Sequence, residues 1–494
     1  MIIGLVVLGT GLVVGWAVAQ FIGVADPIGA VGSRVIDHVP ISVKNWAIRT
    51  FGTSDKVALR VGIVVILGLL ALVVGSLAQR RRGIAQGIVG AMGLVGVVSA
   101  RAADGPGAFL PAVAATVASL VALGVLAPRR APGAGLPGGL DRRVFMARAA
   151  AISASTLAIG AGGLAVRQNR NNQLSKVAAK LRLPRPEGTV PQAGPDASVG
   201  GGVEPFLTPN DGFYRIDTAL SVPRIDLADW RLEVGGMVDH PFTLTFDQLL
   251  DMGVVERIVT LCCVSNEVGG SYIGNARWLG VPLTRLLDRA GVQTGATQLA
   301  SESDDGWTCG FPTSVATDGR DALVAVGMNG APLPAEHGFP VRLVVPGLYG
   351  YVSATKWLTR ITLTTLDGFD GYWIPRGWSK IAPVKTQSRI DVPRDGATLP
   401  AGRQVIAGVA WAQHRGIDRV EVRIDDGPWR EATLATDVTP DAWRQWRIDW
   451  DATPGNHRVA VRATDHTGAT QTSDVAEPAP DGATGWHTIS VDVG

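Results

Sequence analysis

Cysteine is scarce in this chain of 494 residues, and the scarcity narrows the chemistry open to it. Cys262, Cys263 and Cys309, the three present, cannot build a disulfide framework, and none is spaced as a zinc or iron–sulfur motif. Histidine is thin too: of seven, only His38 precedes His240. The N-terminal part therefore lacks the facing histidine pair that would hold a membrane haem, and no haem is expected. Aromatics make up only 6% of the chain, the formal net charge is +2, and no dense Lys/Arg run is interleaved with aromatics. Nucleic acid is excluded as a partner on that basis.

Apolar residues, at 46%, are what the chain has in abundance, and they are unevenly spread. Runs cover Ile2 to Val24, Val61 to Ala78, Gln86 to Ala100, Ala108 to Ala127 and Ala147 to Val166. A membrane span needs ~20 mostly apolar residues. Residues 1–135 thus read as about four transmembrane spans and residues 136–172 as a fifth. The third run is short and glycine-rich, and both a full span and a re-entrant helix fit it. Arg80–Arg82, Arg129–Arg130 and Arg142–Arg143 should stay cytoplasmic, because positive loops resist translocation. That orientation predicts a multi-pass protein in the cell membrane, embedded in the lipid bilayer, with everything after Val166 outside the cytoplasm. Asp141-Arg142-Arg143-Val144-Phe145-Met146 resembles an internal twin-arginine export signal; as a simple positive anchor it points the same way.

Beyond the spans, residues 173–203 are rich in Pro, Gly, Ser and Asp after Leu181 and predict a flexible linker. Residues 204–385 mix short strands (Val255 to Cys262, Val341 to Val345) with short helices (Pro282 to Ala290) without regular alternation, so an α+β domain is expected. Residues 386–494 carry alternating strands divided by Asp426-Gly427 and Pro454-Gly455, which predict an all-β immunoglobulin-like sandwich. The fold class is therefore multi-domain: a transmembrane helical bundle, an α+β domain and a β sandwich.

The chemistry concentrates in Thr260-Leu261-Cys262-Cys263-Val264-Ser265-Asn266, followed by Ala276-Arg277-Trp278-Leu279-Gly280. A thiol that ends a strand and enters a glycine-rich loop is placed for ligation or catalysis. A free cysteine in an apolar strand is also commonly a small buried hydrophobe. A cysteine hydrolase or transferase would need a histidine to make the thiolate, and His337 is available. A non-enzymatic surface protein built on the immunoglobulin-like module is a third reading. The residues alone leave these open.

These blocks resemble the sulfite oxidase family of molybdopterin enzymes, whose signature is a Thr-Leu-x-Cys-x-x-Asn loop and an Ala-Arg-Trp-x-Gly segment. Glu336-His337-Gly338-Phe339-Pro340-Val341-Arg342 is similar to the family's Asp-His-Gly-x-Pro-x-Arg block, Ser353-Ala354-Thr355-Lys356-Trp357-Leu358 to its Ser-Val-Lys-Trp-Leu block, and Asn210 to Tyr214 to its approach to the pterin. The resemblance implies a molybdenum–molybdopterin cofactor with Cys263 as the metal ligand. It implies that Asn210, Tyr214, Arg215, His337, Arg342, Ala354, Thr355 and Lys356 hold the pterin, and that Trp278 and Trp378 wall the catalytic pocket. It further implies two-electron oxygen-atom transfer on a small-molecule substrate, an electron-transfer partner, and a homodimer formed through the C-terminal domain. Where the family places arginines around its anionic substrate, this chain has Glu267 and Asp217, and carboxylates there would repel sulfite. Sulfite itself is therefore not the expected substrate.

Overall fold

The apolar runs fold as helices, in a computed structural model that describes residues 1–51, 55–100, 107–127 and 142–494. The chain divides into two units: Met1–Ala179 with Asp217–Val222, and Lys180–Ile216 with Pro223–Gly494. Among the described residues of the first unit, Ile2–Ile22, Asp55–Leu77, Arg82–Ser99 and Arg142–Arg170 are long and apolar enough to cross a membrane. The third run thus reaches spanning length, whereas the fourth, Leu110–Leu126, is a shorter helix of 17 residues. Pro27–His38 and Ile41–Phe51 are helices that the sequence did not announce, and His38 ends the first of them. Arg129, Arg130 and Asp141 lie outside the described residues.

The unit's interior is built by close approach of small residues. A Cβ added to Gly4 would stand 1.7 Å from the Ala71 carbonyl oxygen, so only glycine lets the first helix meet Asp55–Leu77 there. Val7, Val74, Ala85, Val89, Leu123 and Leu126 form the core between the helices. Large apolar side chains point outward as well, among them Val61, Val65, Leu69, Val98, Val121 and Leu157. Exposed apolar surface of this extent on long apolar helices is compatible with membrane insertion.

Residues 173–203 differ from the flexible linker expected. The last helix continues to Lys180, and the stretch after it lies along the second unit. Glu187 N–H donates to Val254 O at 2.7 Å, Thr436 N–H to Asp196 O at 3.0 Å, and Val199 N–H to Gln445 Oε1 at 2.8 Å. A Pro/Gly-rich composition lacks periodicity whether it is free or pinned by such backbone bonds, which is why the pattern misled.

In the second unit the α+β part holds two sheets, one mixed and one antiparallel. One orders Phe242–Leu244, Leu232–Gly236, Leu358–Thr364, Gln298–Ser303 and Thr308–Pro312, with Leu232–Gly236 parallel to Leu358–Thr364. The other orders Val255–Cys262, Ile273–Pro282, Leu323–Met328 and Ala331–Pro332, and Arg342–Val344 also pairs with Leu323–Met328. The helix Leu283–Ala290 buries Leu283, Leu286, Leu287 and Ala290, a face set by its 3.6-residue period, and stops at Gly291 with φ 64°. The C-terminal region is β-rich, with two sheets whose inner residues Ile406, Trp446, Ile448, Val420, Val459, Val461 and Val491 share one core. Thr260, near the end of the strand before Cys263, ties the two regions together. Its N–H donates to Asp441 O at 2.9 Å, its carbonyl accepts from Gln413 Nε2 at 2.9 Å, and its hydroxyl accepts from Trp443 N–H at 2.8 Å.

Candidate functional site

The strand Val255–Cys262 is β-branched and buried over its second half, and it delivers two adjacent thiols at its end. Their environments differ. Cys262 is a core residue whose Sγ lies 3.5 Å from the Cys263 carbonyl, and its thiol is held well above the usual range, by burial first and by neighbouring Cys263 second. Burial also raises Cys263, but hydrogen bonds from Ser265 and the charge of Lys356 oppose it. Of the pair, Cys263 is the better thiolate. No group of three or more His, Cys, Asp or Glu side chains suited to a metal occurs among the described residues. A metal here would have one protein thiolate, with its other donors brought by a cofactor.

The loop after Cys263 is closed on itself. Cys263 N–H donates to Tyr272 O at 2.9 Å, Asn266 N–H to Cys263 O at 3.1 Å, and Tyr272 N–H to Asn266 Oδ1 at 2.7 Å. Around it the other candidates gather. Tyr214 is half-buried, and its phenol is raised well above the usual value by burial, then by Cys263 and Cys262, with Arg342 pulling the other way. An added Cβ on Gly338, at φ 112°, would stand 3.0 Å from Arg342 Cβ and 3.2 Å from Lys356 Cα. His337, Arg342 and Lys356 therefore converge through a glycine that only a positive φ accommodates.

This convergence is rich in donors and positive charge. Arg342 is 3% exposed, and among the described residues no carboxylate lies within ion-pair distance of it. Its Nη1 donates to His337 O at 3.1 Å, its guanidinium stacks 5.0 Å from the Trp278 ring, and burial lowers its pKa to about 10. His337 donates from Nε2 to Asn210 O at 2.8 Å, and its Nδ1 is buried with no partner among the described residues. A buried cation without a counter-charge is unfavourable unless an anion joins it. The set fits the phosphate tail of a pterin, which is held by charge-assisted hydrogen bonds.

The remaining candidates fall into place unequally. Asn210 accepts from Asn329 Nδ2 at 2.8 Å, and Asn329 also bonds Arg277 N–H at 2.9 Å, so Asn329 fastens the Asn210 segment to the Arg277–Trp278 strand. Sequence reasoning missed Asn329; its only local signal is the Asn329-Gly330 turn, with φ 51° at Asn329. Ala354 is half-buried and donates its N–H to Gly350 O at 2.9 Å. Thr355 points its hydroxyl into the core, where Ser301 Oγ lies at 2.7 Å and Cys309 Sγ at 3.1 Å. Arg215 follows Tyr214 and is half-buried. Trp378 is 8% exposed and packs on Tyr351 at 5.5 Å.

One expectation needs correction. Trp278 does not wall a pocket: it is fully buried, its indole N–H donates to Val259 O at 3.1 Å, and it backs Arg342 and Phe213. Asp217 belongs to the helical unit, where it is ion-paired with Lys56. A groove of about 740 Å³ elsewhere in the second unit is lined by Glu187, Arg257, Arg285, Asp321 and Asp441 and by none of the candidates. Its two arginines are ion-paired, to Asp321 at 2.7 Å and to Glu187 at 2.8 Å, so they leave little charge for a ligand.

Comparison with known proteins agrees with this geometry. The family described as "Oxidoreductase molybdopterin binding domain" matches residues 219–373. The mitochondrial sulfite oxidases of Rattus norvegicus and Homo sapiens are each 32% identical, over 50% and 52% of this chain and 53% and 55% of their own length. The NADH nitrate reductase of Solanum lycopersicum is 29% identical over 54% of this chain and 36% of its own. The chain spans about half the length of the sulfite oxidases it matches. The solved sulfane dehydrogenase SoxCD of Paracoccus pantotrophus superposes with a TM-score of 0.51 at 24% identity, over 63% of this chain and 87% of that one, a likeness of fold. Residues 219–373 thus match a molybdopterin-binding oxidoreductase domain and are similar to sulfite oxidases and a nitrate reductase, a match that implies a molybdenum-dependent oxidoreductase with molybdenum–molybdopterin as the cofactor.

His337 gives this site a measurable pH signature. Burial lowers its pKa from 6.5 to about 4, with Arg342 and Lys356 adding to the effect. The folded value lies below the unfolded one, so this stability is complete above pH 6.5 and is lost as pH falls towards 4, by at most about 3 kcal/mol. In cofactor-free protein, His337→Gln is expected to flatten the melting temperature between pH 6.5 and 4.5. The same slope in the variant and the unaltered protein would assign the loss to other groups.

Proposed function

We propose that the chain is a membrane-anchored oxidoreductase whose extracytoplasmic domain performs two-electron oxygen-atom transfer on a small substrate other than sulfite. The observation that carries this reading is the buried thiol Cys263, its ionisation favoured by Lys356, close to the buried guanidinium of Arg342, which has no carboxylate within ion-pair distance among the described residues, and to His337 with its buried Nδ1. Cys263 would hold the metal. His337, Arg342 and Lys356 would hold the pterin's anionic tail, with Asn210 and Tyr214 beside it. The bound cofactor supplies the oxygen-atom and electron chemistry, while the protein binds, orients and excludes water. Cys263 must give up its proton on loading, because the thiolate is the ligand. His337 Nδ1 gains a proton when an anion faces it, which adds a charge-assisted bond. Electrons would pass one at a time to or from a separate partner protein, and the C-terminal region, read as an immunoglobulin-like sandwich, would join two copies.

The choice against sulfite rests on Glu267, which is exposed where the family has arginine, and on the aromatic packing of Trp378 with Tyr351. The hydrolase reading has less support: among the described residues no hydrogen bond joins Cys263 to a histidine, and His337 gives Nε2 to Asn210. Metal and pterin analysis of the purified chain tests the proposal. Equimolar molybdenum, turnover of a neutral oxygen-atom donor or acceptor with an artificial electron carrier, and poor turnover of sulfite are expected. A metal-free chain, or efficient sulfite oxidation, would reject the corresponding part.

Anchoring and sidedness rest on the long apolar helices and on Arg142 and Arg143, exposed at the start of the last one. A reporter fused after Val166 should be exported, and replacing both Arg142 and Arg143 by lysine should stop its export. Lysine keeps the positive charge that sets topology, so the swap isolates a twin-arginine signal. Undiminished export would reduce the pair to a topology anchor.

A further inference from the structure

The tip of the Cys263 loop is held from outside the α+β region. Gly270 N–H closes a turn on Glu267 O at 2.9 Å, and the Gly270 carbonyl accepts from Arg389 Nη1 at 3.0 Å. Arg389 belongs to the C-terminal strand Gln387–Val392, is 7% exposed, and spends its Nε on Asp391 Oδ1 at 2.6 Å. His487, on the strand His487–Val493 of the other C-terminal sheet, presses its ring onto Gly269, where an added Cβ would stand 2.2 Å from Cδ2. That ring is fixed in turn, because its Nδ1 accepts from Ile390 N–H at 2.9 Å. A planar guanidinium can serve a carboxylate and a carbonyl at once in a fixed geometry, which a lysine cannot.

Within the loop, Asn266 connects this tip to the ligand. Its N–H donates to Cys263 O, its Oδ1 accepts from Tyr272 N–H, and a Cβ on Gly270 would stand 2.6 Å from that same Oδ1. The chain of contacts therefore runs Arg389 and His487, Gly269–Gly270, Asn266, Cys263. We infer that Arg389 and His487 are positioning residues for the metal ligand, so that the C-terminal β region completes the redox site in the same chain. The inference rests on the molybdenum reading above and goes beyond it in making the site depend on residues outside the matched domain.

The test compares full-length protein with Arg389→Met, Arg389→Lys and Gly269→Ala. Molybdenum and pterin content of the unaltered protein come first; their absence rejects the molybdenum reading, and this inference with it. With molybdenum present, Arg389→Met is expected to keep pterin, which other residues hold, and to lose about 10–100-fold in kcat, as changes behind a metal ligand do. KM should stay unchanged, and the thiolate-to-metal absorption and the Mo(V) resonance should shift. Arg389→Lys should recover part of the loss, and Gly269→Ala, which forces His487 away, should shift the same spectra. Unchanged spectra and kcat in Arg389→Met overturn the inference. So does a loss of activity that only tracks a lower melting temperature, with the folded fraction spectroscopically unaltered. If Arg389→Met fails to fold, the spectra of Gly269→Ala decide by the same criterion.

Discussion

Cys263→Ser is expected to lose molybdenum and with it at least ~100-fold of the activity, more than changes behind a ligand cost, while Cys262→Ser keeps most of both. The two thiols are adjacent in sequence and both buried, so a purely structural role would make their substitutions alike. Their electrostatics differ. Ser265 and Lys356 support negative charge on Cys263, whereas Cys262 sits in the core and is pushed further from ionisation by burial and by Cys263 itself. A serine hydroxyl at position 263 would have to ionise from a far higher pKa and would offer a hard donor to a metal that favours a soft one. Metal analysis and activity of the two variants, measured beside their melting temperatures, check this. Equal loss in both would leave the ligand unassigned between them.

Much of the architecture was legible because periodicity reports local burial. The apolar runs, the helix Leu283–Ala290 and the strand Val255–Cys262 all show their faces in the order of their residues. The helices Pro27–His38 and Ile41–Phe51 were not legible, since they are short and mix charges with apolar residues. Trp278 was misread for a related reason. Its place in the Ala-Arg-Trp block fixes its neighbours along the chain, but which side of the strand packs inward depends on Val259 and Arg342, far apart in sequence. Arg389, His487 and Asn329 act on the site across more than fifty residues each, and no local pattern announces such contacts. The same holds for Thr355, which looked available for a cofactor until Ser301 and Cys309 claimed its hydroxyl.

Arg342→Met should act with opposite signs on the cofactor-free and the loaded protein. Without the cofactor, Arg342 is a buried cation with no carboxylate beside it among the described residues, held by two backbone carbonyls and the face of Trp278. Lowering its pKa from 12.5 to about 10 reflects a burial penalty of up to about 3 kcal/mol. The attraction to Trp278 returns ~2 kcal/mol of that at most. A methionine of similar length removes both terms, so the cofactor-free variant should be more stable by about 1 kcal/mol, a melting temperature higher by ~2–4 °C. In the loaded protein the same guanidinium would face the anionic tail of the pterin. Removing one partner of such a buried charge pair costs ~2–5 kcal/mol, so cofactor retention should fall by ~30-fold or more. Melting curves of the two cofactor-free proteins, together with pterin content after dilution or dialysis, measure both signs. A variant that is less stable when empty yet keeps its cofactor would mean that Arg342 serves the fold through Trp278 and that the anion is held by other groups.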